Sequence, residues 1–270
     1  MKKNKVKTKN SKLKIAYCLV GLVGYTERHG GGQPLDFHIA YKNNKRNIFG
    51  DNDVDVFVHS WSVDFEDEIV KLYKPKEHIF EEQIEFDDDA RMNAVESRWY
   101  STKKCVELMK NYESDNNIKY DFVMIYRFDS AFLTKLDFDE LKKYNKKNEQ
   151  EFVYGTHSSR ANCEPYGISN GDCGCKDRPN IDDQWIIGNS DDISLFSKLH
   201  DDWREFGYGS PHTEFKNHLK RTGLINKVRY VHIGGGVEYG LVRDINFKSF
   251  KNIEYKGRKK IETNHLGREI

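Results

Sequence analysis

The chain has 270 residues, enough to enclose a substantial hydrophobic core. Its 44 Lys+Arg are balanced by 43 Asp+Glu, which argues against attachment to nucleic acid by bulk electrostatics. No run approaches the roughly 18 apolar residues of a membrane span, so no crossing segment is expected.

The charge is unevenly placed. Residues 1–14 hold seven lysines and no acid. That block reads as a disordered, solvated tail, or as a weak contact for an anionic membrane surface or nucleic acid. The apolar stretch that follows is short and interrupted by Gly21, so a signal peptide is not expected. A strand is expected over 14–20, then a glycine-rich loop over 21–34. A helix should start near Leu35, with Leu35, Ile39 and Ile48 as sparse apolar positions. Residues 54–59 read as a second strand, 66–73 as a short helix stopped by Pro75, and 78–83 as a third strand.

The clearest helix follows Asp87-Asp88-Asp89, acids that suit a helix N-terminus. Met92, Val95, Trp99, Val106, Met109 and Tyr112 recur at helical steps, with one gap at Thr102. Next comes Tyr120-Asp121-Phe122-Val123-Met124-Ile125-Tyr126-Arg127-Phe128-Asp129, an apolar run read as a strand buried on both faces. Residues 151–155 form a short strand and 156–180 a long loop. Trp185-Ile186-Ile187-Gly188 is a buried strand. Ser190 is placed to cap a helix whose apolar face is Ile193, Phe196, Leu199 and Trp203. A second helix has Ser210 as cap, Pro211 first and Gly223 just beyond. A late strand over 228–233 runs into three glycines.

Strands alternating with helices predict an α/β fold, a mostly parallel sheet flanked by helices. The expected organisation is a basic tail over 1–13, one domain over 14–244 and a polar extension over 245–270. Cys18 and Cys105 lie in apolar segments. Cys163, Cys173 and Cys175 share a loop without paired Cys-x-x-Cys spacing, and read as loop thiols or as a zinc site. With no Asn-x-Ser/Thr site, a reducing, cytoplasmic setting is expected.

Four clusters fall where such a sheet places ligands. Gly21 to Gly32, with Tyr25 and Arg28, is either a surface loop or a cradle for a phosphate with Tyr25 stacked on a base. Arg98 and Lys104 lie on the long helix, on its solvated face or at the rim of a site. Arg127 and Asp129, on one side of an extended strand, either close the strand as a salt bridge or hold a metal-bound diphosphate. Asp182 and Asp183 precede a buried strand, as loop acids or as a general base, and Trp185 would share a face with Asp183 as a sugar platform. His232 is a core histidine or a metal ligand.

Four ordered blocks carry a resemblance. They are Asp53-Val54-Asp55-Val56-Phe57-Val58-His59-Ser60-Trp61, Ser97-Arg98-Trp99-Tyr100-Ser101, Tyr126-Arg127-Phe128-Asp129, and Asp182-Asp183-Gln184-Trp185-Ile186-Ile187-Gly188-Asn189-Ser190. Over residues 14–244 the chain resembles nucleotide-sugar-dependent glycosyltransferases of the GT-A type, including glycosyltransferase-like proteins of bacteria and large DNA viruses. The resemblance implies a GT-A-like, Rossmann-like fold, a UDP- or GDP-linked sugar donor and a glycan or other hydroxyl acceptor. It places Arg127-Phe128-Asp129 at the Asp-x-Asp metal motif, departing at the first acid. It implies Mn²⁺ or Mg²⁺ on Asp129 and His232, and an acceptor-activating base at Asp183 or Asp182. Gly21, Tyr25, Arg28, Arg98, Lys104 and Arg127 would line the donor. A non-catalytic carbohydrate- or nucleotide-binding domain and a metal-dependent phosphoesterase are the competing classes.

Overall fold

Six consecutive buried residues, Ile15 through Val20, make the centre of strand β1 (Lys14–Gly21). Ile15, Tyr17 and Leu19 enter one core, while Ala16, Cys18 and Val20 enter another. That division is the two-residue period of a strand covered on both faces. The computed structural model describes residues 12–23, 36–156, 167–169, 184–206, 211–232 and 239–242.

The remaining strands are β2 (Asp53–Ser60), β3 (Glu77–Phe80), β4 (Phe122–Arg127), β5 (Ser130–Phe132), β6 (Val153–Gly155), β7 (Gly167–Ser169), β8 (Trp185–Gly188), β9 (Val228–His232) and β10 (Tyr239–Leu241). Eight of them form one sheet in the order β3-β2-β1-β4-β8-β6-β9-β7, and β5 pairs with β10 as a separate ribbon. β1 is parallel to β2 and β4, β2 to β3, and β6 to β9. β8 runs antiparallel to β4 and β6, and β7 to β9. The sheet is therefore mixed rather than uniformly parallel. Trp185 to Gly188 is apolar throughout, and such a run reads the same in either direction.

Helices α1 (Phe37–Asn44), α2 (Glu66–Tyr73) and α4 (Phe138–Asn148) contribute Phe37, Ile69, Tyr73, Phe138 and Leu141 to the core that holds Ile15 and Tyr17. Helices α3 (Ala90–Asn116), α5 (Ser190–Ser197), α6 (Leu199–Asp202) and α7 (Pro211–Arg221) contribute Trp99, Met109, Phe196, Leu199 and Phe215 to the other. The result is an α/β protein with helices on both sheet faces, compatible with a Rossmann-like fold. Among the described residues no helix is long and apolar enough to cross a membrane.

Local details agree with the sequence reading at the start of α3 and depart from it elsewhere. Asp89 caps α3, accepting the N–H groups of Arg91 and Met92 at 2.9 and 3.0 Å. The Thr102 gap in the apolar stripe is filled by Thr102 itself, 2 % exposed. α1 begins at Phe37 behind an Asp36 cap and passes into a π-helical turn over Lys45–Phe49. The cap of α5 is Asn189, which accepts from Asp192 N–H, while the Ser190 hydroxyl donates to Glu113 at 2.5 Å. The apolar face expected on one helix after Ser190 is carried by α5, α6 and a 3₁₀ turn at Trp203–Phe206, with Ile193, Phe196, Leu199 and Trp203 all buried.

Candidate functional site

Strand order sets where a ligand can enter. From β1 the chain builds outward through β2 and β3, then α3 carries it back to the far side of β1, where β4 lies. Helix connections diverge at this reversal, leaving a crevice beyond the carboxyl ends of β1 and β4. A cleft of about 380 Å³ opens there, within the size range of small-molecule sites.

Its floor is the end of β1, at Val20, Gly21 and Leu22. Gly21 has φ +100°, a conformation that favours glycine, and turns the chain out of the strand. Serines hold that turn. Gly21 N–H donates to Ser101 Oγ at 3.0 Å, Ser60 Oγ donates to the Gly21 carbonyl at 2.9 Å, and Val23 N–H donates to Ser62 Oγ at 3.0 Å. Behind Ser101, fully buried His59 places Nδ1 2.9 Å from the same hydroxyl and Nε2 2.9 Å from a Glu81 carboxylate oxygen. This resembles a Ser-His-acid relay, but Ser101 is 0 % exposed and the ring nitrogens are exchanged relative to a hydrolytic triad. Its role is to hold the floor.

One wall is the first part of α3. Arg91, Ala94, Val95 and Arg98 line the cleft at the i, i+3, i+4 and i+7 spacing of one helix face. Arg98 lies 4.9 Å over the Trp99 ring. Trp61 and Gln83, just past β2 and β3, close the far end, and Gln83 Nε2 donates to Ser97 Oγ at 3.0 Å. At the near end stand Arg127, the last residue of β4, and Asp129.

These two meet through a turn and not through strand alternation. β4 stops at Arg127, Phe128 and Asp129 make the bend, and β5 begins at Ser130. Arg127 Nε donates to Asp129 Oδ1 at 2.8 Å and Nη2 to Oδ2 at 2.5 Å, a two-pronged pair. The Asp129 side chain is 8 % exposed and that of Arg127 29 %. The Asp129 carbonyl also accepts Val242 N–H at 2.7 Å, tying the bend to the end of β10.

Among the described lining residues the cleft thus carries three guanidinium groups against one carboxylate. Its walls are otherwise apolar or aromatic at Val20, Leu22, Trp61 and Val95. A flat ring could rest on such walls while an anion meets the arginines. A second depression, about 500 Å³, lies at the amino end of β4 and is lined by both lysines and acids. Lys142 pairs with Asp121 at 2.6 Å and Lys119 with Asp191 at 3.2 Å.

The structure therefore brings Gly21, Arg98, Arg127 and Asp129 to one cleft. Lys104 stands elsewhere on α3, with Nζ 5.5 Å over the Tyr100 ring and 3.8 Å from Glu107. Tyr25, Arg28, Asp182, Asp183 and the three loop cysteines lie outside the described residues, as does the side chain of His232, which ends β9 opposite Gly167. Trp185 is 1 % exposed and packs 5.5 Å from Phe132, inside the core on the α1 side. It offers no face to a sugar, because the strand alternation that buries Ile187 buries Trp185 with it. Arg91, Trp61, His59 and Ser101 were not singled out for the site in the sequence. The repeat of Arg91 and Arg98 two helical turns apart was the signal available for the first.

No protein-family model matches the chain, and no curated protein matches it. Fold and cleft define the class: an α/β protein with a mixed, largely parallel sheet and an arginine-bearing cleft at the point where strand order reverses.

Proposed function

We propose that this chain is a nucleotide-sugar-dependent glycosyltransferase of the GT-A type, moving a sugar from a UDP- or GDP-linked donor to an acceptor hydroxyl with inversion. The observation that carries the reading is the cleft beside Gly21, with Arg91, Arg98 and Arg127 on its rim. The ordered sequence blocks described above support it independently.

Glycosyl transfer requires stabilisation of the charge that develops on the leaving diphosphate, and removal of a proton from the acceptor on the opposite face of the sugar. The arginines meet the first need and stay cationic at any working pH. The nucleoside would lie along the apolar wall toward Trp61. Asp183, or Asp182, takes the acceptor proton in this scheme. A phosphoesterase is less well supported, since such chemistry favours convergent acids and histidines, and Asp129 is the one carboxylate among the described lining residues.

The test is a panel of UDP- and GDP-sugars assayed for thermal stabilisation and for slow hydrolysis to the free nucleotide, with and without Mn²⁺. Stabilisation accompanied by nucleotide release is the expected result. Stabilisation without turnover in any acceptor mixture would identify a non-catalytic nucleotide-binding domain. No stabilisation by any member would contradict the assignment.

A further inference from the structure

Among the described residues, the donors on this cleft do not fit the divalent cation implied by the resemblance. A metal at a diphosphate takes one or two carboxylates together with phosphate oxygens. Here both oxygens of Asp129 are engaged by Arg127, at 2.8 and 2.5 Å, in a fork that fixes the plane of each group. A cation on that carboxylate would sit beside a permanent guanidinium charge. Among the described residues no group of three or more His, Cys, Asp or Glu converges to offset that repulsion.

We propose that the cleft binds its diphosphate without a metal ion. Arg127 supplies the positive charge that a divalent cation would otherwise bring, and Asp129 is a positioning residue that aims it. This inference rests on reading the ligand as a nucleoside diphosphate. Local structure supports the division of labour. Arg127 is delivered by β4, whose residues from Phe122 to Tyr126 are all buried, so its backbone is firmly placed. Asp129 sits in a bend fastened by the 2.7 Å bond from Val242 N–H to its carbonyl. The carboxylate therefore holds the guanidinium from a rigid support, while Arg127 keeps 29 % of its side chain open. Arg91 and Arg98 add charge from the facing helix wall, so the described lining residues carry a net positive charge even with Asp129 ionised.

The experiment is calorimetric titration of the full chain with UDP, GDP and inorganic pyrophosphate, once with EDTA and once with Mn²⁺, with Mn²⁺ binding followed separately by electron paramagnetic resonance. The proposal expects equal affinity within about threefold in both conditions, and no Mn²⁺ held by the protein–nucleotide complex beyond that held by nucleotide alone. Arg127→Met should weaken binding about 10- to 100-fold, the loss expected for a charge-assisted hydrogen bond, and Arg127→Lys should recover part of it. Asp129→Asn should weaken binding about tenfold while leaving it insensitive to EDTA. If Asp129→Asn is poorly folded, the wild-type comparison and Arg127→Lys decide the matter alone. Binding that requires Mn²⁺, with Mn²⁺ lost in Asp129→Asn, would overturn the inference and leave the nucleotide reading standing. No binding of any probe in either condition would overturn both.

Discussion

His59 Nδ1 lies 2.9 Å from Ser101 Oγ, and that hydroxyl also receives the Gly21 N–H at 3.0 Å. A histidine on β2 and a serine on α3 thus set the last peptide of β1, where the cleft begins. Burial lowers the pKa of His59, and Lys104 adds to the shift against the opposing pull of Glu81. In the neutral ring Nε2–H can donate to Glu81, leaving Nδ1 as an acceptor toward the Ser101 hydroxyl, whose Oγ also stands 3.2 Å from the His59 carbonyl. Ser101→Ala would leave Nδ1 and the Gly21 N–H without this partner in a buried setting. A loss of about 1–3 kcal/mol in unfolding free energy is expected from urea titration, together with weaker nucleotide binding. Unchanged stability would show that Ser101 does not hold the floor.

Stability should fall as pH drops below neutrality. His59 and His218 are both 0 % exposed, and burial lowers both pKa values below the ordinary 6.5. Above that value the ring is neutral in the folded and unfolded chain, and the stabilisation is complete. Below it the unfolded chain gains protons first, so stability is lost progressively until the depressed folded values are passed. The slope is at most about 1.4 kcal/mol per pH unit for each group. Asp191, whose pKa is lowered chiefly by its bond to Lys119, loses its contribution only below the ordinary 3.8, so the two windows separate. Urea titrations from about pH 7.5 to about pH 5 measure the effect. Replacing both histidines with Gln should flatten the slope, and an equal slope in that variant would assign it elsewhere.

Arg98 faces the cleft while its guanidinium rests 4.9 Å above Trp99. Arg98→Met keeps much of the apolar contact and removes the charge. Nucleotide affinity should drop about 10- to 100-fold, with little change in melting temperature. An unaltered affinity would move the diphosphate away from the α3 wall.

Asp182→Asn and Asp183→Asn test the base. The residue that takes the acceptor proton should cost roughly 10²–10⁴ in turnover when neutralised. Donor affinity should hardly change, because the base touches the acceptor. Normal turnover in both variants would refute the inverting scheme, and lost donor binding in both would place these acids beside the diphosphate.

Much of this architecture could be read from periodicity. Val95, Trp99, Val106 and Met109 marked α3, and the unbroken run from Phe122 to Tyr126 marked a strand covered on both sides. What escaped was decided by contacts outside the local pattern. The direction of β8 is invisible in Trp185 to Gly188, since both faces are buried. α4 was missed because Phe138, Leu141 and Tyr144 are isolated among lysines and acids. Residues 127 and 129 were expected together for the wrong geometric reason: a bend between β4 and β5 joins them, not strand alternation. Gly21, Arg98, Arg127 and Asp129 could be picked out because charge or glycine interrupted an apolar segment. Trp61 and Val95 could not, because an apolar cleft wall and an apolar core have the same composition.

The central claim is that a nucleoside diphosphate enters beyond the carboxyl ends of β1 and β4. Hydrogen exchange of the full chain, with saturating UDP or GDP and without it, tests this most directly. Exchange should slow in 20–22, 91–98 and 127–132, the segments that enclose the cleft. Protection confined to 119–122 and 142–151, around the depression at the opposite end of β4, would contradict the account.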